Sequence, residues 1–130
     1  TTALRDFGLE LGLAFQLVDD ALDYAGETTT MGKNIGDDLA EGKVTLPLIH
    51  VMRHGDPAAA RLVREAIRSR SPEHLEDVRG AVRASGAIEY TAERARDAAS
   101  RARDHLCVLP DNLYREAMEE LVDFSITRRY

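Results

Sequence analysis

The sequence predicts an all-α protein, a helical bundle with no strand. Three observations carry that expectation. Apolar residues recur at helical spacing in successive segments from Leu4 to Val122, with no run alternating at period two. Ala, Leu, Arg and Glu dominate, while Trp is absent and aromatic residues make up 5% of the chain. The segments are divided by helix punctuation, namely Gly55, Asp56-Pro57, Ser71-Pro72, Gly86 and Pro110-Asp111. At 130 residues this is one domain's worth of chain. A formal charge of −6 without a polybasic run argues against a nucleic-acid partner. Its apolar stretches are too short and too interrupted to form a transmembrane segment. No signal peptide is visible, and a single cysteine, Cys107, suits a reducing, cytoplasmic setting; it reads as a small core residue.

The first helix is expected from about Ala3 to Ala25, with Gly26 as its stop. Apolar residues on nearly every face suit a helix inside a bundle. Gly8 and Gly12 share one face, each costing roughly 1 kcal/mol of helix propensity relative to Ala, so a neighbouring backbone is expected to approach closely there. Near the helix end stand Asp19, Asp20 and Asp23. Asp19 and Asp23 are four apart and share a face, with Asp20 three before Asp23. Three carboxylates at the negative end of a helix dipole are locally unfavourable. A hard divalent cation with oxygen ligands would make them a site. The plain alternative is a solvated helix end, since a lone DDxxD is common by chance.

A loop follows, 27–43, holding Gly32, Gly36, Gly42 and three consecutive threonines. Loops of that length in a compact domain tend to be functional or disordered. Lys33 and Lys43 each follow a glycine, with Asp37, Asp38 and Glu41 between them. A phosphate-loop reading fails, because five residues rather than four separate the glycines and neither lysine precedes Ser or Thr. A calcium-loop reading fails at Ala21, where a third-position ligand is needed. What remains is a carboxylate cluster followed by two lysines, the chemistry of a diphosphate site.

Helices then fill 44–130. Val44 to His54 has Pro47 in its first turn and Gly55 as its stop. Asp56-Pro57 caps a helix with Leu62, Val63, Ala66 and Ile67 as its stripe, and Ser71-Pro72 repeats the device for one through Leu75, Val78 and Val82. Ile88, Ala92, Ala95, Ala99, Ala102 and Leu106 form a narrow seam for close packing, flanked by charged residues read as solvated surface. Pro110-Asp111 opens the final helix, with Leu113, Ala117, Leu121 and Val122 expected inward. His50, His54, His74 and His105 are read as structural or exposed, on separate helices or helix ends without metal-ligand spacing.

The strings LGLAFQLVDDALDY and GETTTMGKNIGDDLAEGKVTLPLI resemble the second aspartate-rich region of trans-type polyprenyl diphosphate synthases, most of all the octaprenyl and decaprenyl kind. The likeness is dense from Gly8 to Ile49 and looser beyond His54. It implies the C-terminal portion of an isoprenoid-synthase-type fold, usually a homodimer. It also implies Mg2+ on Asp19, Asp20 and Asp23, bridging to an allylic diphosphate. Phe15-Gln16 matches the family's FQ, with Gln16 near that substrate's head group. Lys33 is implied on the diphosphate, with Asp38 and Lys43 closing this end of the site; Asp19 and Lys33 carry the catalytic roles. The implied reaction adds isopentenyl diphosphate to the allylic partner by metal-assisted ionisation and alkylation. Asn34 stands where the family often has proline.

The family's first aspartate motif, its following arginines and its isopentenyl diphosphate residues are not in this sequence. Together with a start at Thr1 that leads straight into a buried-type helix, this suggests a fragment, inactive alone. Two other readings are a non-catalytic helical subunit of a heteromeric synthase and a terpene cyclase. The grouped aspartates and lysines argue against the first, and the FQ and GK…DL…GK runs argue against the second.

Overall fold

The computed structural model describes residues 2–25, 39, 42–70 and 72–127. Those residues form six α-helices: α1 (Thr2–Ala25), α2 (Leu46–His54), α3 (Pro57–Ser69), α4 (Leu75–Ala84), α5 (Ala87–Leu106) and α6 (Leu113–Thr127). A 3-10 turn, Pro72–His74, leads into α4, and no strand occurs among the described residues. The all-α expectation holds. The chain divides into two compact units, one from α1 through Asp19 together with Ala92 onward, the other from Asp20 to Thr91.

In the Asp20–Thr91 unit, α2, α3 and α4 pack together. Their core joins Leu48, Val51, Val63, Ala66, Val78 and Val82 with Tyr24, Leu39 and Ala87. Small and branched side chains allow close helix approach, and each buried Val or Leu contributes about 1.5–3 kcal/mol relative to exposure. Local signals set the ends. Pro47 sits in the first turn of α2 and the N–H of Gly55 donates to the Val51 carbonyl at its close. The Asp56 carboxylate accepts the N–H of Ala59 at 2.8 Å, capping α3 ahead of Pro57. Pro72 opens the 3-10 turn rather than the α-helix itself, and α4 begins without a side-chain cap. Gly86 turns the chain into α5 at φ 74°, a left-handed conformation that glycine adopts freely.

In the other unit the core is Phe7, Ala14, Ala98, Ala99, Ala102, Leu106 and Val122, with Leu11, Leu109, Met118 and Ile126 packed against it. The alanine seam of α5 is therefore a real packing face. Around it, Arg101 Nε donates to Glu10 at 2.9 Å, and Arg103 pairs with Asp123. Some of the charged flank is thus paired between helices rather than merely solvated.

Several expectations are corrected here. The final helix opens on Asn112, whose side-chain oxygen accepts the N–H groups of Tyr114 and Arg115 at 3.0 and 3.1 Å; Pro110-Asp111 precede the cap. Of the four residues expected inward on α6, only Val122 is buried, whereas Leu113 is 80% exposed and Ala117 and Leu121 are also exposed. The inward set is Met118, Val122, Ser125 and Ile126, since the 3.6-residue period admits one stripe and Val122 fixes its phase. Cys107 is exposed just after α5, its thiol directed at the Arg103 carbonyl. Helix α1 is not buried all round: Leu9 is 66% exposed, and Leu4 and Leu13 are exposed as well. Among the described residues, a Cβ added at Gly8 or Gly12 would meet nothing within 4 Å, so the expected close backbone approach is not found there.

Candidate diphosphate and metal site

The candidate site is built on the last two turns of α1, a helix that runs unbroken to Ala25. Tyr24, fully buried, anchors that end in the core of the Asp20–Thr91 unit. The tyrosine fixes the rotation of the helix end and hence the directions of its neighbours. Asp23 is wholly buried and Asp20 is 8% exposed, while Asp19, at the end of the first unit, is half-buried. Carboxylates at that depth are costly as anions unless positive charge or hydrogen-bond donors reach them. The last turn of α1 supplies no basic residue of its own. Its backbone dipole presents negative charge at the same end. The donor set, oxygen atoms of carboxylates, is of the type that hard divalent cations take.

Among the described residues, no group of three or more His, Cys, Asp or Glu side chains is arranged to hold a metal by itself. The aspartates thus fit as one part of a ligand set, to be completed by other oxygens such as those of a diphosphate or water.

Phe15 is half-buried, and its ring meets Phe124 of α6 at 6.1 Å between centroids and 54° between planes. Gln16, next in sequence, is exposed on α1 and carries its amide in solvent. Lys43 is exposed as well. It directly follows Gly42, whose N–H donates to the Leu39 carbonyl at 2.9 Å, and Leu39 is buried in the core of its unit. Lys43 thus directly follows a glycine bonded to a core residue. Lys33 and Asp38 lie outside the described residues.

Sequence reading missed one pairing. His50 and His54 share α2 rather than lying on separate elements, and their rings are 5.0 Å apart. His50 also stacks on Tyr90 at 4.4 Å and 24°. The four-residue spacing within one helix was the available signal.

Comparison with known proteins gives the chain's relatives. The family description "Polyprenyl synthetase" matches residues 1–85. Octaprenyl diphosphate synthase of Haemophilus influenzae is 46% identical over 129 residues, 98% of this chain and 39% of that protein. The Escherichia coli octaprenyl diphosphate synthase is 48% identical over 126 residues, 96% of this chain and 39% of that one. A crystal structure of polyprenyl synthase from Caulobacter crescentus, complexed with calcium and isoprenyl diphosphate, superposes with a TM-score of 0.89 at 47% identity; it covers 99% of this chain and 40% of that chain. The chain thus spans about two fifths of the length of the curated relatives it matches. With its all-helical fold, its aspartate-bearing helix end and a family match over residues 1–85, this chain belongs to the polyprenyl synthetase family.

Proposed function

We propose that this chain supplies the allylic-diphosphate half of a polyprenyl diphosphate synthase, a prenyltransferase that adds isopentenyl diphosphate to an allylic diphosphate. The observation that carries this reading is the DDxxD segment at the end of α1. It lies within the family match, with Asp20 and Asp23 buried at that helix end. The octaprenyl relatives and the Caulobacter complex with calcium and isoprenyl diphosphate support the same substrate class.

In this reading Asp19, Asp20 and Asp23 are the residues that would hold Mg2+ through their carboxylates. Once bound, the ion would offset the negative charge that grows on the departing diphosphate. Lys33 and Lys43 contribute charge-assisted hydrogen bonds to the same phosphate oxygens, and Gln16 donates its amide near the head group. Asp38 belongs to the stretch that closes this end of the site. Phe15 holds the helix rotation that aims Gln16. These donors act most strongly where charge develops, which is how they accelerate ionisation rather than only binding substrate. Loss of diphosphate leaves an allylic cation, which the double bond of isopentenyl diphosphate attacks before a proton is lost. An apolar surround protects that cation from water. The synthase is proposed to act as a cytoplasmic homodimer.

The decisive experiment is Asp19→Ala in the full-length synthase carrying this sequence. A fall in kcat of roughly two orders of magnitude or more is expected, as for loss of an electrostatic stabiliser. Turnover within about threefold of wild type at saturating Mg2+ would remove the assignment.

A further inference from the structure

Two residues with left-handed backbone meet next to Lys43. Gly42 has φ 78° and Arg70 has φ 53°, the one non-glycine residue with positive φ among the described residues. Arg70 ends α3, its N–H donating to the Ala66 carbonyl at 2.9 Å. Glycine is the residue that takes this helix-ending conformation without penalty, whereas an arginine must bear the crowding of its Cβ. Such a residue, held in a sparsely populated conformation, points to a role for its side chain. That side chain reaches Gly42: a Cβ built on Gly42 would lie 2.6 Å from Arg70 Nε and 2.8 Å from its Cζ and Nη2. The guanidinium of this exposed residue therefore lies against Gly42, where a side chain at position 42 would require it to move. Among the described residues it has no carboxylate partner within ion-pair distance.

Gly42, directly before Lys43, thus has two described neighbours that bear on its place. Leu39 is buried in the core of the unit and its carbonyl accepts the Gly42 N–H. The Arg70 guanidinium lies against the same glycine. We infer that Arg70 is a positioning residue that sets where the Lys43 ammonium stands toward the diphosphate. A flat guanidinium can lie along a peptide plane, and its positive charge disfavours collapse of the neighbouring ammonium onto it. This inference rests on the diphosphate role proposed for Lys43.

The test uses the full-length synthase with Arg70→Gly, Arg70→Asn, Lys43→Ala and the Arg70→Gly/Lys43→Ala double variant. Glycine and asparagine both accept the left-handed conformation, so the helix ending is kept while the guanidinium is removed. Both Arg70 variants should raise the KM for allylic diphosphate by about threefold to tenfold with Tm held or raised. The double variant should be no worse than Lys43→Ala, because Arg70 acts through that lysine. Unchanged allylic KM in both Arg70 variants would overturn the inference. So would a double variant that carries both losses in full, or a KM rise matched by a falling Tm in both single variants. If Lys43→Ala itself leaves the allylic KM at the wild-type value, the diphosphate reading of Lys43 fails first, and the role of Arg70 falls with it.

Discussion

The ring of Phe15 rests against Phe124 at 6.1 Å and 54°, joining the residue before Gln16 to the C-terminal helix. Tilted aromatic pairs of this kind are worth about 0.5–1.5 kcal/mol beyond the area they bury. Phe124→Ala should therefore lower the urea midpoint of the full-length synthase by a modest amount, with Phe124→Leu losing less. A midpoint equal to wild type in the alanine variant would mean that the pair adds no stability.

The two lysines should separate in their effects. A charge-assisted hydrogen bond is worth about 1.5–3 kcal/mol, so Lys33→Ala is expected to raise the KM for allylic diphosphate roughly tenfold or more. Lys43→Ala should raise it less. Steady-state kinetics with each substrate varied in turn checks both. A change confined to the KM for isopentenyl diphosphate would place the lysines on the wrong half of the site.

Capping of α3 gives a prediction independent of chemistry. Removing the bond from Ala59 N–H to Asp56 by Asp56→Ala should destabilise the protein by about 1 kcal/mol, with Asp56→Asn near wild type because it keeps an acceptor. Thermal melts of the two variants side by side would show it. Equal Tm values for the alanine and asparagine variants would contradict a capping role.

The 130-residue chain by itself should lack prenyl transfer. Asp19, Asp20 and Asp23 fit as only one part of a ligand set, so Mg2+ would keep water at most of its coordination positions and bind weakly. Leu9, Leu113 and Phe124 are exposed, and apolar surface of that kind favours self-association. Calorimetric titration with Mg2+ and diphosphate, sedimentation and a prenyl-transfer assay examine the three statements. Measurable chain elongation by this chain alone would refute the first.

Much of the chain was legible from sequence because the relevant interactions are local. Pro47, Gly55, Asp56-Pro57 and the small-residue seam of α5 act within one or two turns, so the order of the helices follows from pattern alone. The spacing of Asp19, Asp20 and Asp23 is equally local, and the helix through Ala25 keeps it. The choice of face on α6 was not local. Leu113, Ala117 and Leu121 form as good a stripe on paper as Met118, Val122 and Ile126. Only packing against Phe7, Ala99 and Leu106 selects the second. For the same reason Cys107 and Gly8 could not be placed by residue type, because exposure depends on which chain segments arrive beside them. The tertiary structure alone brought Arg70 onto Gly42 and Phe124 onto Phe15. Contacts between residues so far apart in sequence leave no periodic signal. They form only when burial of the shared core repays the entropy of closing the intervening chain.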